Sequence, residues 1–140
     1  MIVNLTQHDA TSEQVAAGVV ELSRTDDIHD LLTFVEIPDE ANVQYRAKKL
    51  AEIARAALLV FEDPYNEPDG FEGYVLRDGA AAMIGGAPYL MAPLEKALLK
   101  RGITPMYAFS KRESIEEPQP CGSVKKVMIF RHLGFVEVSL

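Results

Sequence analysis

A chain of 140 residues with 48% hydrophobic content is long enough for one domain with a sizeable core, and no apolar run approaches the ~20 residues of a membrane span. Its net charge of −7 argues against general binding of duplex nucleic acid, an affinity that rests on many neutralised phosphates. One cysteine, Cys121, excludes both an internal disulfide framework and a multi-cysteine zinc site.

The N-terminus reads as a strand over Met1–Leu5, with Asn4 its one polar member, followed by the polar cluster Thr6-Gln7-His8-Asp9. The start lacks the basic flank and long apolar core of a signal peptide, so a cytoplasmic location is expected. Thr11 and Gln14 form a capping box that opens a short helix from Ser12 to Ala17, with Gly18 at its end. Val19–Leu22 is a short extended piece. A second short helix then runs through Leu32, capped by Thr25 or Asp26. Pro38-Asp39-Glu40 opens the longest helix, whose apolar stripe of Val43, Ala47, Leu50, Ala54, Ala57 and Leu58 carries it to Phe61. The alternative for Leu58–Phe61 is a separate strand.

Residues 62–79 form an irregular excursion rich in Pro, Gly and acids, with a short strand at Tyr74–Leu76. Its acids and its aromatics Tyr65, Phe71 and Tyr74 would serve as a lid, a partner contact or an ordinary surface loop.

Next comes the most regular stretch. Ala80–Ile84 is an uncharged strand of the kind covered on both faces, and Gly85-Gly86 turns sharply and leaves its N–H groups uncovered. An amphipathic helix follows with Leu90, Met91, Leu94, Leu98 and Leu99 on one side; Gly102 lies just past its end. Pro88 and Pro93 cannot both be its first residue. If the regular helix starts only at Pro93, Ala87–Met91 is a loop. Met106–Phe109 is a second buried strand ending at Ser110, Lys111 and Arg112, so the whole is a βαβ unit. Ligands of such sheets sit beyond the carboxyl ends of the strands, where the glycine turn and the Ser-Lys-Arg cluster both fall.

Alternating residues at 112–117 and 124–130 then flank Pro118–Ser123, a hairpin connection in which Cys121 is an exposed, unreactive thiol. Arg131–Gly134 reads as a turn and Phe135–Val138 as the last strand. The expected fold is a single α/β domain of three layers, Rossmann-like, with a mixed sheet: parallel in the centre and an antiparallel hairpin toward the C-terminus.

Charge is unevenly spread, −11 over residues 1–95 and +4 over residues 96–140. The basic part can hold a small anion. Solvated faces are the ordinary reading for its lysines, with anion holding as the alternative, while Arg112 and Arg131 each close a strand beside the expected site. The glycine turn is neither GxGxxG nor a P-loop, which disfavours NAD and the usual ATP chemistry. Nucleophile-elbow, HExxH and DxD-type motifs are missing. His8 and His132 both follow strands and would form an acid–base pair near neutral pH; with Asp9 they would be a metal set, which the spacing does not single out. His29 is solvated in an acidic helix.

A first strand ending in Thr-Gln-His, with a later strand reading Met83-Ile-Gly-Gly-Ala-Pro-Tyr-Leu-Met91 into a helix, resembles the CARF-type Rossmann-like domains, including the small CRISPR-associated ring nucleases. The resemblance implies a cyclic oligoadenylate pocket, usually across a homodimer, made here by Thr6, Gln7 and His8 with Gly85, Gly86 and Ala87. Where the family often has a polar or basic residue beside the glycines, Ala87 and Pro88 stand. Three functions follow as expectations. The first is a nucleotide-binding domain that cleaves a cyclic RNA messenger without metal or other cofactor, its 2′-hydroxyl attacking while Lys111, Arg112 or Arg131 holds the anion. The second is a non-catalytic nucleotide sensor or sponge. The third is a protein-interaction module whose acidic half meets a basic partner.

Overall fold

The computed structural model describes residues 1–61 and 73–139. In chain order the elements are β1 (Ile2–Leu5), α1 (Ser12–Ala16), β2 (Val19–Val20), α2 (Thr25–Leu32), α3 (Glu40–Leu58), β3 (Leu59–Phe61), β4 (Tyr74–Leu76), β5 (Ala81–Ile84), α4 (Pro88–Leu99), β6 (Thr104–Pro118) and β7 (Val124–Glu137). The main sheet has the order β2-β1-β5-β6-β7, with its first three pairings parallel and β6–β7 antiparallel. The mixed sheet with a parallel centre is thus as the sequence predicts. The lid or partner-contact reading of the excursion rests largely on residues 62–72, outside the described residues.

The pleat divides the sheet's side chains between two layers. Val3, Leu5, Ala82 and Ile84 point into the main core, with Ile28 and Leu32 of α2, Leu50, Ala54 and Leu58 of α3, and Leu90, Leu94 and Leu98 of α4. Asn4, Ala81 and Met83 alternate with them and face the other side, where Thr11 and Gln14 beside α1 share a cleft with Met83. Residues buried on both faces explain why β5 reads as an unbroken apolar run.

Local chemistry accounts for most boundaries. The Thr11 hydroxyl accepts from the Gln14 N–H and the Gln14 side chain accepts from the Thr11 N–H, so the capping box forms as read. Asp39 accepts from the Asn42 N–H at 2.7 Å and starts α3. Pro88 takes the first position of α4, and Pro93 stands inside the helix, where it removes one backbone donor without ending the helix. Gly102, at φ +76°, turns the chain from α4 toward β6.

Three expectations are corrected. Neither Thr25 nor Asp26 caps α2; Arg24 holds the cap position with no side-chain bond, and the Thr25 hydroxyl donates back to the Leu22 carbonyl. The long helix stops at Leu58 rather than Phe61, because Leu59–Phe61 pairs antiparallel with Leu76–Tyr74. Arg131–Gly134 is not a turn. β7 runs straight through it, and a register shift pairs Phe109 with Gly134 and then Ser110 with His132, leaving Leu133 as the extra residue of a β-bulge.

The hairpin is longer than the alternation suggests. β6 pairs with β5 only from Thr104 to Met106, and beyond Phe109 the two strands project from the carboxyl end of the sheet as a two-stranded arm.

Candidate functional site

Chain order and strand order diverge at one point. From β1 the chain moves outward to β2, whereas β5 lies on the opposite side of β1 and leads on to β6. A crevice opens at the carboxyl ends of the strands where such a reversal occurs. In this sheet the crevice lies between β1 and β5, and a cleft of about 420 Å³ occupies it.

Thr6, Gln7, His8 and Asp9 after β1 form one wall, with Thr11 and Gln14 from the start of α1 continuing it. Gly85 and Gly86 after β5 form the facing wall, and Met83, Ile84, Tyr107 and Ala108 complete the lining. The two walls lie close: a Cβ built on Gly85 would come within 3.8 Å of the Thr6 methyl. Gly86, at φ +149°, adopts a backbone conformation that a side chain would strain. Directly after it, Ala87 begins α4 without a side-chain cap. The positive end of a twelve-residue helix therefore points toward the glycine turn.

The first wall is held by Asn4, which is only 4% exposed. Its Nδ2 donates to the His8 carbonyl at 2.8 Å and toward the Glu21 carboxylate at 3.1 Å; its Oδ1 accepts from the Thr6 N–H at 2.9 Å and the Thr6 hydroxyl at 2.7 Å. Every polar group of the amide is thereby used. Glu21 also accepts from the Ala10 N–H at 2.6 Å. Gln7 reaches the other way and donates to the Thr33 hydroxyl at 2.9 Å, tying the wall to the end of α2.

The structure brings Thr6, Gln7, His8, Gly85 and Gly86 together around this cleft. Ala87 adjoins it as the cap residue of α4. Ser110, Lys111, Arg112 and Arg131 belong to the arm, so the expectation that Arg112 and Arg131 close strands beside the site is not met. Lys111 and Arg112 stand three and four residues past Ala108, roughly 10–13 Å farther along the strand. Arg112 lies over the Phe130 ring at 5.9 Å, and Arg131 pairs with Glu113 at 3.0 Å. His132 sits on the bulged part of β7. Its N–H donates to Glu13 of α1, its ring meets Phe135 edge-on at 4.8 Å, and its two ring nitrogens are covered without a partner among the described residues. His8 lines the cleft, and His132 is not among its lining residues.

Reading the sequence alone missed Asn4, Glu21 and the pair Thr11 and Gln14 as parts of the site. A lone Asn inside an apolar strand is the one local signal that was available, since a buried amide must find partners. Tyr107 was missed as well. Burial and the Glu95 carboxylate that its hydroxyl meets at 3.1 Å push its pKa up to about 12, so it stays a neutral donor. At the tip of the arm Cys121 is exposed, as expected, and the Ser123 hydroxyl 2.9 Å from its sulfur draws that thiol's pKa below its ordinary value.

Among the described residues no group of three or more His, Cys, Asp or Glu side chains is placed to hold a metal ion, and no helix is long and apolar enough to cross a membrane. A family model described as "Uncharacterized protein MJ1673 family" matches residues 1–136. No curated protein and no solved structure matches the chain.

Proposed function

The chain belongs to the MJ1673 family, and we propose that it is a nucleotide-binding domain that takes its ligand in the cleft between β1 and β5. The observation that carries this reading is the position of the cleft at the reversal of strand order, with polar side chains on one wall and bare backbone on the other. Gln7, Thr11 and Gln14 offer both donors and acceptors, which suits a base edge and ribose hydroxyls. The Gly85-Gly86 N–H groups and the start of α4 suit a phosphate. A volume of about 420 Å³ falls within the range of ~300–1,000 Å³ usual for small-ligand sites.

Binding without cleavage fits this cleft better than hydrolysis does. Among the described residues no Lys or Arg lines it, and the cations that would stabilise a phosphorane-like anion are on the arm. Among the described residues His8 is the only imidazole in the lining, so any acid–base cleavage within this cleft would depend on it. The likeness of Thr6–His8 and Met83–Met91 to CARF-type domains makes cyclic oligoadenylates the first ligands to try, alongside mononucleotides and linear dinucleotides.

The test is a thermal-shift panel of those ligands with product analysis on the same samples. A ligand at a hundred times its Kd should add about 2.7 kcal/mol to stability. A shift without product supports the sensor. Product that disappears in His8→Ala supports the nuclease. A panel with neither removes the nucleotide reading.

A further inference from the structure

The arm carries an exposed apolar strip framed by opposite charges. Arg112 pairs across with Phe130, Ser114 with Met128 and Glu116 with Lys126, and directly opposed residues of an antiparallel pair share one face. The Arg112 guanidinium over the Phe130 ring shows this sharing directly. Phe130 is 70% exposed and Met128 49%, although both stand on a two-stranded ribbon, a unit that is at best marginally stable alone in water. Such a ribbon gains most from a second layer laid on its apolar face.

We infer that this layer is the same face of a second copy of the chain, stacked antiparallel about a twofold axis through the Ser114–Met128 pair. The charges select this occupant. Reversing the arm about that axis sets Arg112 of one copy opposite Glu116 of the other, Phe130 opposite the stem of Lys126, and Met128 opposite itself. The face is therefore complementary to its own reversed copy, as an isologous contact requires. Size selects the direction. Stacked sheets lie ~10 Å apart, so parallel arms would force two bodies of ~14 Å radius of gyration into the same space, whereas antiparallel arms hold them at opposite ends. In this arrangement Pro118 and Val124 of one arm arrive opposite Ser110 and His132 of the other, on the side of the sheet that carries the cleft.

The experiment is sedimentation of the full chain over about 1–100 μM, with circular dichroism as a check on folding. The wild-type chain should be a dimer. Phe130→Glu should be a folded monomer. Arg112→Glu and Glu116→Arg should each weaken association at least ~10-fold, and the double variant Arg112→Glu/Glu116→Arg should recover to within ~3-fold of wild type. Met128→Cys in a Cys121→Ser background should be joined into a covalent dimer by a short bismaleimide, because residue 128 faces its own copy at the axis across ~10 Å, wider than the ~7 Å a disulfide spans. A wild-type chain monomeric at 100 μM overturns the inference. So do a dimer indifferent to Phe130→Glu, a double variant no better than the singles, and an arm that instead binds anionic vesicles as a monomer.

Discussion

The Asn4 side chain donates to the carbonyl of His8, four residues later, across 2.8 Å, and this bond bends the chain leaving β1 into a wall of the cleft. The same amide holds Thr6 and Glu21, so one buried polar group joins the Gln7–Thr33 and Ala10–Glu21 bonds in setting the shape of this loop. Removing it strands the Thr6 N–H and leaves the His8 carbonyl only the Thr6 hydroxyl, 3.0 Å away. Asn4→Ala should therefore lose about 2–3 kcal/mol in urea unfolding. Asn4→Asp sets a carboxylate against Glu21, and mutual repulsion raises the folded-state pKa of the pair above its unfolded value. Its deficit should be largest at pH 7 and shrink as the pH falls through that raised pKa.

The two glycines of the facing wall should respond differently to the same substitution. Gly86 has φ +149° and Gly85 does not share this conformation, while a Cβ on Gly85 meets only the Thr6 methyl at an ordinary contact distance of 3.8 Å. Gly86→Ala should cost about 1–3 kcal/mol in unfolding free energy and Gly85→Ala less than about 1 kcal/mol. Equal losses would place the strain elsewhere than in the Gly86 backbone.

Arg46 ties the end of α2 to α3. Its Nη1 reaches the carbonyls of Asp30, Leu31 and Thr33 at 3.1, 3.0 and 2.7 Å, Nε donates to Asn42, and the guanidinium lies 4.2 Å from the centre of the Phe34 ring. Arg46→Ala should lose about 2 kcal/mol in denaturant unfolding. Arg46→Lys should recover less than half of that, because an ammonium reproduces neither the planar fork nor the stacking. Full recovery by lysine would show that charge alone matters there.

Tyr107 gives a stability signature at high pH. Its pKa rises from about 10 to about 12 through burial first and Glu95 second. An acid whose folded pKa is raised contributes stability that is fully present below its unfolded value and is lost as the pH rises through the folded one. Between pH 10 and 12 the unfolding midpoint of the wild-type chain should fall more steeply than that of Tyr107→Phe. Parallel slopes would mean that the phenol is not held neutral in the folded state.

The central βαβ unit was legible because several local signals agree there: an uncharged run at Ala81–Ile84, two glycines, Pro88 at a helix start and leucines at helical spacing. Leu58–Phe61 was not, since a short apolar run fits either period and its strand partner, Tyr74–Leu76, is far along the chain. Gly134 suggested a turn by composition, but its place in a bulge depends on pairing with Phe109. For the site, the polar loop after β1 and the glycine turn could be read locally. The roles of Asn4 and Glu21 could not, because the two are seventeen residues apart and meet only in the folded sheet. The basic side chains misled for a similar reason: sequence adjacency to Phe109 does not reveal that β6 outruns the sheet by a whole arm.

The most direct measurement is an amide-resolved NMR titration of the full chain with adenosine mononucleotides, linear dinucleotides and cyclic oligoadenylates. Saturable shifts centred on Thr6–Asp9 and Gly85–Gly86, lost in a folded Gln14→Ala/Gly85→Val double variant, are the expected result. Saturable shifts that leave those residues unmoved, or no saturable shift with any of these ligands, would contradict a nucleotide site between β1 and β5.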